Sequence, residues 1–412
     1  MSMREDFLAS YLAYASETEC PATFHRWSAL SILGAWLGRG LSFQLGHFRV
    51  NPNLYVMLMG AAGTRKSTAI KIASHLIRAA GYTNIAADRT TKEKFLLDLA
   101  GETEDPKDLL DQNLFGNAQG AAEILVAADE FTNFIGNGNI EFLSMLGVLW
   151  DHNGVFQNRV KNSKSVEIHD PTVSILAGNT LTGFSLAFPV ESIGQGIFSR
   201  LLLIHGESSG RKIAFPGQPS TEETGILLEK LLRIKSHCVG SLEIGDTARK
   251  LLTKIYHEYK GIDDVRFESY SNRRFTHLLK LCIIVCAARC SIVLDERDVV
   301  YANTILSHAE HTMPTALGAF GKSRHADVSH KILQVLEGTV EPVPLKGLWK
   351  HVHNDLEKLQ DLADLLRNLV AADKVLQTQG AFLIRRKLIE ESSDFTTVDY
   401  SLLTEEERKY VA

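Results

Sequence analysis

The sequence lacks long apolar runs: none extends for 18 residues without a charged side chain. A helix that spans a bilayer needs about 20 mostly apolar residues, so none is predicted. The first residues, MSMREDFLASYLAY, carry Glu5 and Asp6 where an export signal would need basic side chains. A surplus of positive charge is also missing, because the formal net charge is −5. We therefore expect a soluble, cytoplasmic protein without membrane contacts, in which any nucleic-acid site is a local basic patch.

Cysteine is scarce as well, with five residues and no CxxC pair. Three of them, Cys282, Cys286 and Cys290, recur every four residues and so share one stripe of a predicted helix. A metal site is one interpretation, but buried reduced thiols are favoured, because cysteine is among the most buried residue types and no second ligand pair is nearby. The chain of 412 residues is 45% apolar, which is enough for roughly two to three folded domains.

The segment GAAGTRKST, residues 60–68, reads like a phosphate-binding loop with one unusual residue. In the pattern G-x-x-x-x-G-K-[ST], backbone N–H groups surround the phosphates, the lysine reaches the outer phosphates and the hydroxyl binds Mg²⁺. Arg65 stands where the second glycine is expected. A non-glycine residue with positive φ costs roughly 1 kcal/mol, which is small beside the binding free energy of a nucleotide. We expect nucleotide contacts from Gly60, Gly63, Arg65, Lys66, Ser67 and Thr68.

The pattern around the loop predicts a strand, the loop and then a helix, which is the order that phosphate binding requires. LYVMLM before the loop is an apolar run typical of a strand buried on both faces. Two further apolar strands end in polar residues: EILVAADE ends in Asp129 and Glu130, and TVSILAGNT reaches Asn179. A parallel α/β sheet builds its sites at such strand ends. A solvated strand end or a helix N-cap also explains the two carboxylates, and an ordinary turn also explains Asn179.

The residues between these two strands predict a hairpin. VFQNRVKNSKSVEIHD, residues 155–170, consists of two alternating segments around a short turn. Arg159, Lys161 and Lys164 lie at or near its tip. Because lysines are ordinary in exposed turns, a solvated turn stays open beside a DNA contact.

Changes in sequence pattern predict five parts of the chain. The third part is helical throughout, without a convincing strand, and the fourth has three helices followed by a hairpin, which is the winged-helix arrangement. The parts are a helical amino-terminal cap (1–40), an α/β domain that contains the phosphate-binding loop (41–215), a helical region (216–322), a winged-helix domain (323–390) and an acidic, partly disordered tail (391–412). The resemblance described next implies that the second part is an ATPase core and the third its helical lid.

Four segments, taken in order, resemble a known family. PNLYVMLMG, ILVAADEF, SILAGNT and GIFSRLLLI look like the core of AAA+ ATPases, in particular MCM-like replicative helicases and the related helicases of phages and mobile elements. SNRRFTHLLKLCIIVCAARC and the residues after it are similar to the helical lid of MCM proteins. The resemblance covers residues 50–390, and only the loop and the acidic strand are individually specific. It implies an α/β P-loop AAA+ core with a helical lid.

The resemblance also implies roles for single residues, with ATP and Mg²⁺ as cofactors. Lys66 and Ser67 would bind phosphate and Mg²⁺, and Asp129 would be the second Mg²⁺ ligand. Glu130 would be the general base for water, and Asn179 would be the residue called sensor 1, which orients that water.

Other roles implied by the resemblance concern neighbouring chains and DNA. Arg200 would be the arginine finger inserted into the neighbouring subunit's site, which implies an oligomer, most simply a hexameric ring. Arg273, with Arg274 beside it, is the best match to the sensor 2 arginine of the lid. The hairpin would line a channel, with Lys161 and Lys164 contacting phosphates. In isolation, a surface charge at the start of a strand also explains Arg200.

We therefore expect an ATP-driven hexameric DNA helicase or translocase of phage or mobile-element replication, which binds single-stranded DNA without sequence specificity. A helicase loader or DNA-integration regulator is the alternative, because the third helix of the winged-helix domain carries Asp355, Glu357, Asp361 and Asp364. An acidic helix suits a replication partner protein better than a DNA groove. A third reading is an ATP-binding scaffold without turnover, which the Asp129–Glu130 pair disfavours.

Overall fold

The molecule forms two compact units, one of residues 1–318 together with 395–412 and one of residues 319–394. The structure is a computed structural model. It describes residues 6–101, 122–159, 165–193, 196–217, 219–318, 320, 324–339, 341–356, 358–371, 375–378, 380–384 and 396–411.

The first unit combines helices with short and long strands. Within its described residues, no helix has both the length and the apolar composition that crossing a bilayer requires. Its helices up to residue 318 are α1 (Phe7–Tyr14), α2 (Ala22–Leu37), α3 (Lys66–Ala79), α4 (Lys92–Leu99), α5 (Phe131–Ile135), α6 (Ile140–Leu149), α7 (Leu181–Ala187), α8 (Thr221–His237), α9 (Asp246–Glu258), α10 (Glu268–Ser271), α11 (Arg274–Ala288) and α12 (Glu296–Leu317). Its strands are β1 (Leu41–Leu45), β2 (Phe48–Val50), β3 (Tyr55–Met59), β4 (Glu123–Ala128), β5 (Val155–Asn158), β6 (Val166–His169), β7 (Thr172–Asn179), β8 (Leu201–His205), β9 (Gly240–Ser241), β10 (Glu243–Ile244) and β11 (Val293–Leu294).

A four-stranded parallel sheet in the order β4-β7-β3-β8 forms the centre of the first unit. Every residue of β3 and β7 is buried, as expected for strands covered on both faces. The register aligns Met59 with Asn179 and with His205, so β3, β7 and β8 end at one edge. The predicted α/β architecture with buried parallel strands is confirmed.

Helix α2 lies in the segment predicted as a helical amino-terminal cap (residues 1–40) and is part of the core of the first unit. Every residue from Thr23 to Leu37 is buried, and the helix contacts α3, β7 and α11. Its sequence, ATFHRWSALSILGAWL, explains this burial, because apolar or small residues occupy nearly all of its surface. A helix that is apolar on all sides is stable only when it is buried.

The carboxyl-terminal segment packs onto the first unit, which corrects the expectation of an acidic, partly disordered tail. Residues Tyr400–Leu402 form a 3-10 turn and Glu405–Arg408 form helix α16. Glu407 accepts hydrogen bonds at 2.7 Å from both Nε and Nη2 of Arg26, which is buried in α2. A buried guanidinium needs such a partner, because an unpaired buried charge is very costly. One acidic residue of this segment, Glu407, thus neutralises a buried cation that is far away in sequence.

The region expected to be helical throughout contains three two-residue strands. β9 pairs with β1, and β10 pairs with β11. Cys282 and Cys286 are buried on α11, as predicted, whereas Cys290 lies beyond the end of that helix with φ 59° and is half-exposed.

The second unit has its own apolar core. Helices α13 (Arg324–Glu337), α14 (Leu345–Val352) and α15 (Leu359–Ala371) surround a three-stranded antiparallel sheet in the order β12-β14-β13. Its strands are β12 (Val343–Pro344), β13 (Val375–Thr378) and β14 (Ala381–Ile384). Leucine and valine side chains from all three helices and Phe382 form the core. Three helices and a hairpin therefore follow one another as the pattern predicts.

Candidate functional site

The loop after β3 has the backbone shape that its sequence predicts. Gly63 has φ 85° and Arg65 has φ 62°, so the arginine occupies the left-handed region that usually belongs to glycine. A side chain at Gly60 would lie 2.6 Å from the carbonyl oxygen of Gly206, so only glycine fits there. Helix α3 begins directly after this turn, and no side chain caps its amino end. The first N–H groups of a helix are unpaired and attract anions.

Lys66 reaches across the loop from the first position of α3. Its Nζ donates to the carbonyl oxygens of Gly60 and Ala61, both at 2.8 Å, and to Thr64 Oγ1 at 3.2 Å. Only 8% of the residue is exposed. Burial lowers the pKa of Lys66, and the negative charge of Glu130 opposes that change. The ammonium group is therefore held at the centre of the loop and interacts electrostatically with Glu130. Ser67 and Thr68 follow it on α3 and are half-buried.

The guanidinium of Arg65 is bound by Glu19, in the connection between α1 and α2. Arg65 Nε and Nη2 donate to Glu19 Oε2 at 2.8 and 2.5 Å. Arg65 is among the residues expected to contact the nucleotide, but its guanidinium pairs with Glu19 of the same chain. No sequence signal pointed to Glu19.

The two carboxylates after β4 face open space beside α3. Asp129 forms an ion pair with Nζ of Lys71 at 2.9 Å, and this hydrogen bond raises the pKa of Lys71. An open cleft of about 650 Å³ begins at Asp129 and Glu130 and continues along α3 past His75. Both carboxylates are exposed. They are thus accessible to a ligand, and Lys71 is a contact that sequence reasoning missed.

Asn179 lies at the end of β7, between the loop strand and the acidic strand. It is 1% exposed, and its amide lies 3.4 Å from Thr132 Oγ1. A side chain at Gly183 would collide with the Asn179 amide and would come within 3.0 Å of Glu130 Oε1. The Asn179 amide and the Glu130 carboxylate therefore approach the same point above α7.

Gly178 explains how the acidic strand and the loop helix come so close. A side chain at this position would lie 2.6 Å from the carbonyl oxygen of Asp129 and 3.4 Å from Cβ of Lys66. Since glycine leaves that space empty, the end of β4 and the start of α3 share one side of β7. The sequence-predicted residues Lys66, Asp129, Glu130 and Asn179 are thus brought together at one edge of the sheet.

Arg200 and Arg273 lie elsewhere, at the opposite edge of the sheet. Arg200 precedes Leu201, which pairs with Tyr55 at the start of β3. Because β3 has five residues at about 3.3 Å each, Arg200 is separated from the loop by about 16 Å of strand. The two arginines therefore do not reach Lys66 of the same chain along this sheet.

Asp151, directly after α6, holds both of these arginines. Arg200 Nη2 donates to Asp151 Oδ1 at 3.2 Å, and Arg273 Nη1 donates to Asp151 Oδ2 at 3.3 Å. Arg200 also donates to the carbonyl oxygen of Gly196 at 2.6 Å. Burial, and then the charge of Arg200, lower the pKa of Arg273. The neighbouring Arg274 is buried against Glu310, so of the two lid arginines Arg273 is the partly exposed one.

Two further basic side chains, Lys280 and His277, lie close to this group, and the sequence did not identify them. Lys280 Nζ lies 4.3 Å from the ring centre of Trp150 and donates to Asn53 Oδ1 at 2.6 Å. Burial lowers the pKa of Lys280 to about 7 and that of His277 to about 3. We call Asp151, Arg200, Arg273, His277 and Lys280 the amino-edge cluster. Its members are buried or half-buried apart from Asp151, whose side chain is 42% exposed, and the guanidinium groups of Arg200 and Arg273 outnumber its single carboxylate.

The predicted hairpin is present, with β5 paired antiparallel to β6 from Val155–His169 to Asn158–Val166. Its base is fixed by Asp170, which accepts hydrogen bonds from Gly154 N at 2.8 Å and from Arg39 at 3.2 Å. Arg159, just after β5, is exposed. Lys161 and Lys164 lie outside the described residues.

Comparison with known proteins adds no assignment: no protein-family model matches the sequence, and neither does any curated protein.

Proposed function

We propose that the chain binds ATP with Mg²⁺ at the loop of residues 60–68 and hydrolyses it to ADP and phosphate. The observation that carries this proposal is the convergence of Lys66, Asp129, Glu130 and Asn179 at one sheet edge, although three different strands deliver them. Phosphoryl transfer needs positive charge on the phosphates, a metal and an oriented water, and little covalent chemistry from the protein.

The donor set at this edge fits magnesium. Mg²⁺ prefers oxygen ligands and is usually held by one or two carboxylates together with substrate phosphates and water. Ser67 supplies a hydroxyl and Asp129 a carboxylate, whereas no group of three histidine, cysteine, aspartate or glutamate side chains with metal-site geometry occurs in the described part of the chain. When bound, the metal would neutralise phosphate charge. Asp129 has to exchange its contact with Lys71 for that role.

Each remaining residue then has one task. Lys66 exchanges its three loop acceptors for phosphate oxygens. Glu130 accepts the proton of the attacking water, since it is exposed and close to the Asn179 amide. Asn179 orients that water, and its burial keeps its amide in one place.

We further propose that several copies of the chain assemble, and the position of the amino-edge cluster supports this. Arg200 and Arg273 lie a strand length away from Lys66, so they serve hydrolysis only if they enter the site of another copy. An arginine supplied in this way is worth about 10³-fold to 10⁵-fold in turnover. We therefore propose a P-loop AAA+ ring, most simply a hexamer, in which each interface holds one complete site.

The work done by such a ring would be DNA unwinding or translocation in phage or mobile-element replication. The hairpin of β5 and β6 supports this role, because it directly precedes β7, the strand that ends in Asn179, and because Arg159 just after β5 is exposed. With Lys161 and Lys164 it would contact the phosphates of single-stranded DNA, so affinity should fall as salt rises.

One observation in the second unit favours the alternative function, a loader or regulator without unwinding activity. In that case the second unit would act as a winged helix that recruits a partner protein. On α15, Arg367 is paired with Asp364 at 2.5 Å. Its positive charge is therefore largely balanced within the same helix, and Asp361 remains acidic beside it. Such a helix suits a protein partner better than a phosphate backbone.

One experiment separates these roles: steady-state ATP hydrolysis with and without single-stranded DNA at two salt concentrations, followed by displacement of a forked duplex. DNA-stimulated turnover with strand displacement supports the helicase. Turnover that is indifferent to DNA, without displacement, supports the loader. Absence of turnover under all conditions contradicts the ATPase proposal itself.

A further inference from the structure

Arg65 is a non-glycine residue in a backbone conformation that is unfavourable for it. Arg65 adopts φ 62° and ψ 24°, a left-handed conformation that side chains with a β-carbon disfavour. The arginine makes no side-chain cap to α3. The hydrogen bonds of its guanidinium go to Glu19, and this contact can offset the cost of the left-handed conformation.

Glu19 is fixed from both sides and cannot follow a moving arginine. Its Oε2 accepts the two hydrogen bonds from Arg65, while its Oε1 accepts one from the backbone N–H of Ile213 at 2.8 Å. Its own carbonyl oxygen accepts a hydrogen bond from Ser209 Oγ at 2.6 Å. The hydrogen bond from Ile213, and then that from Arg65, lower the pKa of Glu19, so the carboxylate stays charged near neutral pH.

The segment that fixes Glu19 is itself tied to the loop. Residues 206–213 follow β8, and Gly206 donates to the carbonyl oxygen of Met59 at 3.0 Å, directly before the loop. Arg211 Nη1 donates to the carbonyl oxygen of Ser16 at 2.5 Å. The α1–α2 connection, the loop and the segment after β8 therefore meet at one carboxylate.

We propose that Glu19 is a positioning residue of the nucleotide site, which holds Arg65 in the left-handed conformation and so keeps the loop in its phosphate-binding shape. The proposal rests on the proposed nucleotide binding. It differs from a direct role of Arg65 in phosphate binding, because it assigns the arginine a backbone task that glycine would perform unaided.

Substitutions at the two positions separate these roles. Arg65→Gly removes both the side chain and the strain, whereas Arg65→Ala removes the guanidinium and keeps the strain. Glu19→Gln keeps the size of the side chain and weakens the ion pair. Glu258→Gln on α9, whose carboxylate lies 4.0 Å from Lys254, is the matched control for loss of a surface carboxylate.

The first readout is the Kd of a fluorescent ATP analogue with Mg²⁺, together with KM and kcat. We expect Glu19→Gln and Arg65→Ala each to weaken binding about threefold to tenfold, the range of a modest ion pair, with kcat less affected. Arg65→Gly should bind the analogue more tightly than Arg65→Ala, because glycine adopts the left-handed conformation without strain, and adding Glu19→Gln to Arg65→Gly should not change its Kd. A merely structural role of Glu19 would instead weaken binding equally in both backgrounds.

The second readout needs no nucleotide: hydrogen–deuterium exchange of the peptide covering residues 60–67. Glu19→Gln should speed exchange when residue 65 is arginine and not when it is glycine. If Arg65→Gly binds as weakly as Arg65→Ala, or if Glu19→Gln has no effect dependent on residue 65 in either readout, the inference is wrong. If the wild type binds no nucleotide while the exchange result appears as expected, the proposed nucleotide binding is wrong. The inference that Glu19 holds Arg65 in its left-handed conformation is then still supported.

Discussion

The two ends of strand β3 differ in how firmly their polar side chains are held. At the carboxyl end, Asp129 and Glu130 are exposed and face an open cleft. At the amino end, Arg200 and Lys280 are buried and hydrogen-bonded, and Asp151 joins the two arginines. The exposed end is therefore accessible to a ligand. At the other end, Asp151 holds the two arginines in place.

The largest expected effect comes from the amino end. Arg200→Ala should lower turnover about 10³-fold or more, because the lost guanidinium would otherwise stabilise charge in the transition state. Arg200→Lys keeps a charge without the planar fork and should recover little of this loss. Turnover per chain and the thermal midpoint should be measured together, so that a loss through unfolding is recognised. If Arg200→Ala is folded and has the turnover of the wild type, the amino end takes no part in catalysis.

The carboxyl end should respond next. Glu130→Gln removes the proposed base and should lower turnover about 10²-fold to 10⁴-fold, while the Kd for ATP changes little, because Lys66 and the loop are untouched. Asp88→Asn is the matched control, since Asp88 lines the same cleft without ending a strand of the sheet. Equal turnover in the two variants would mean that Glu130 is not the base.

The pH dependence of folding stability tests whether Lys280, at the amino end, is buried in the folded protein. Its pKa is about 7 when folded against an ordinary value of 10.5, so the unfolded chain binds more protons between these values. Stability should therefore rise with pH from about 7 to about 10, by about 1 kcal/mol per pH unit. Below the folded pKa both states are protonated, and this contribution to the slope vanishes.

The measurement is urea unfolding at several pH values for wild type and Lys280→Met. The variant should lose the rise above pH 7, whatever its stability at neutral pH. Parallel curves for the two proteins would show that Lys280 titrates normally in the folded protein.

Asp151 gives the smallest effect. Asp151→Asn leaves Arg200 and Arg273 without their shared carboxylate, and we expect a loss of about 1 kcal/mol in unfolding free energy, because Asp151 is 42% exposed and water screens the pair. Asp364→Asn on α15 is the control, since its ion pair with Arg367 is more exposed. If Asp364→Asn lowers the unfolding free energy as much as Asp151→Asn does, the amino-edge cluster is no more stabilising than an ordinary surface ion pair.

The sequence predicted the carboxyl end well because its signals are local. Apolar runs ending in Asp129 and Asn179, and a glycine-bearing loop before α3, each lie within about ten residues and follow from strand and loop rules. At the amino end the resemblance named Arg200 and Arg273, but their shared contact with Asp151 escaped prediction, because Asp151 and Arg273 are 122 residues apart and Asp151 has no pattern of its own. The same holds for Glu407 and Arg26, which are 381 residues apart, and the acidic composition around Glu407 suggested a tail instead of a packed segment.

The measurement that tests the account most directly mixes two inactive chains. Glu130→Gln lacks the base but keeps Arg200, and Arg200→Ala keeps the base but lacks the arginine, so an interface between them can contain one complete site. In a random equal mixture of a ring, about a quarter of the interfaces should be complete. We predict that ATP turnover reappears in the mixture at about that fraction of the wild-type value. A mixture that assembles yet stays as inactive as its components would contradict a site completed by the amino edge of a neighbouring chain.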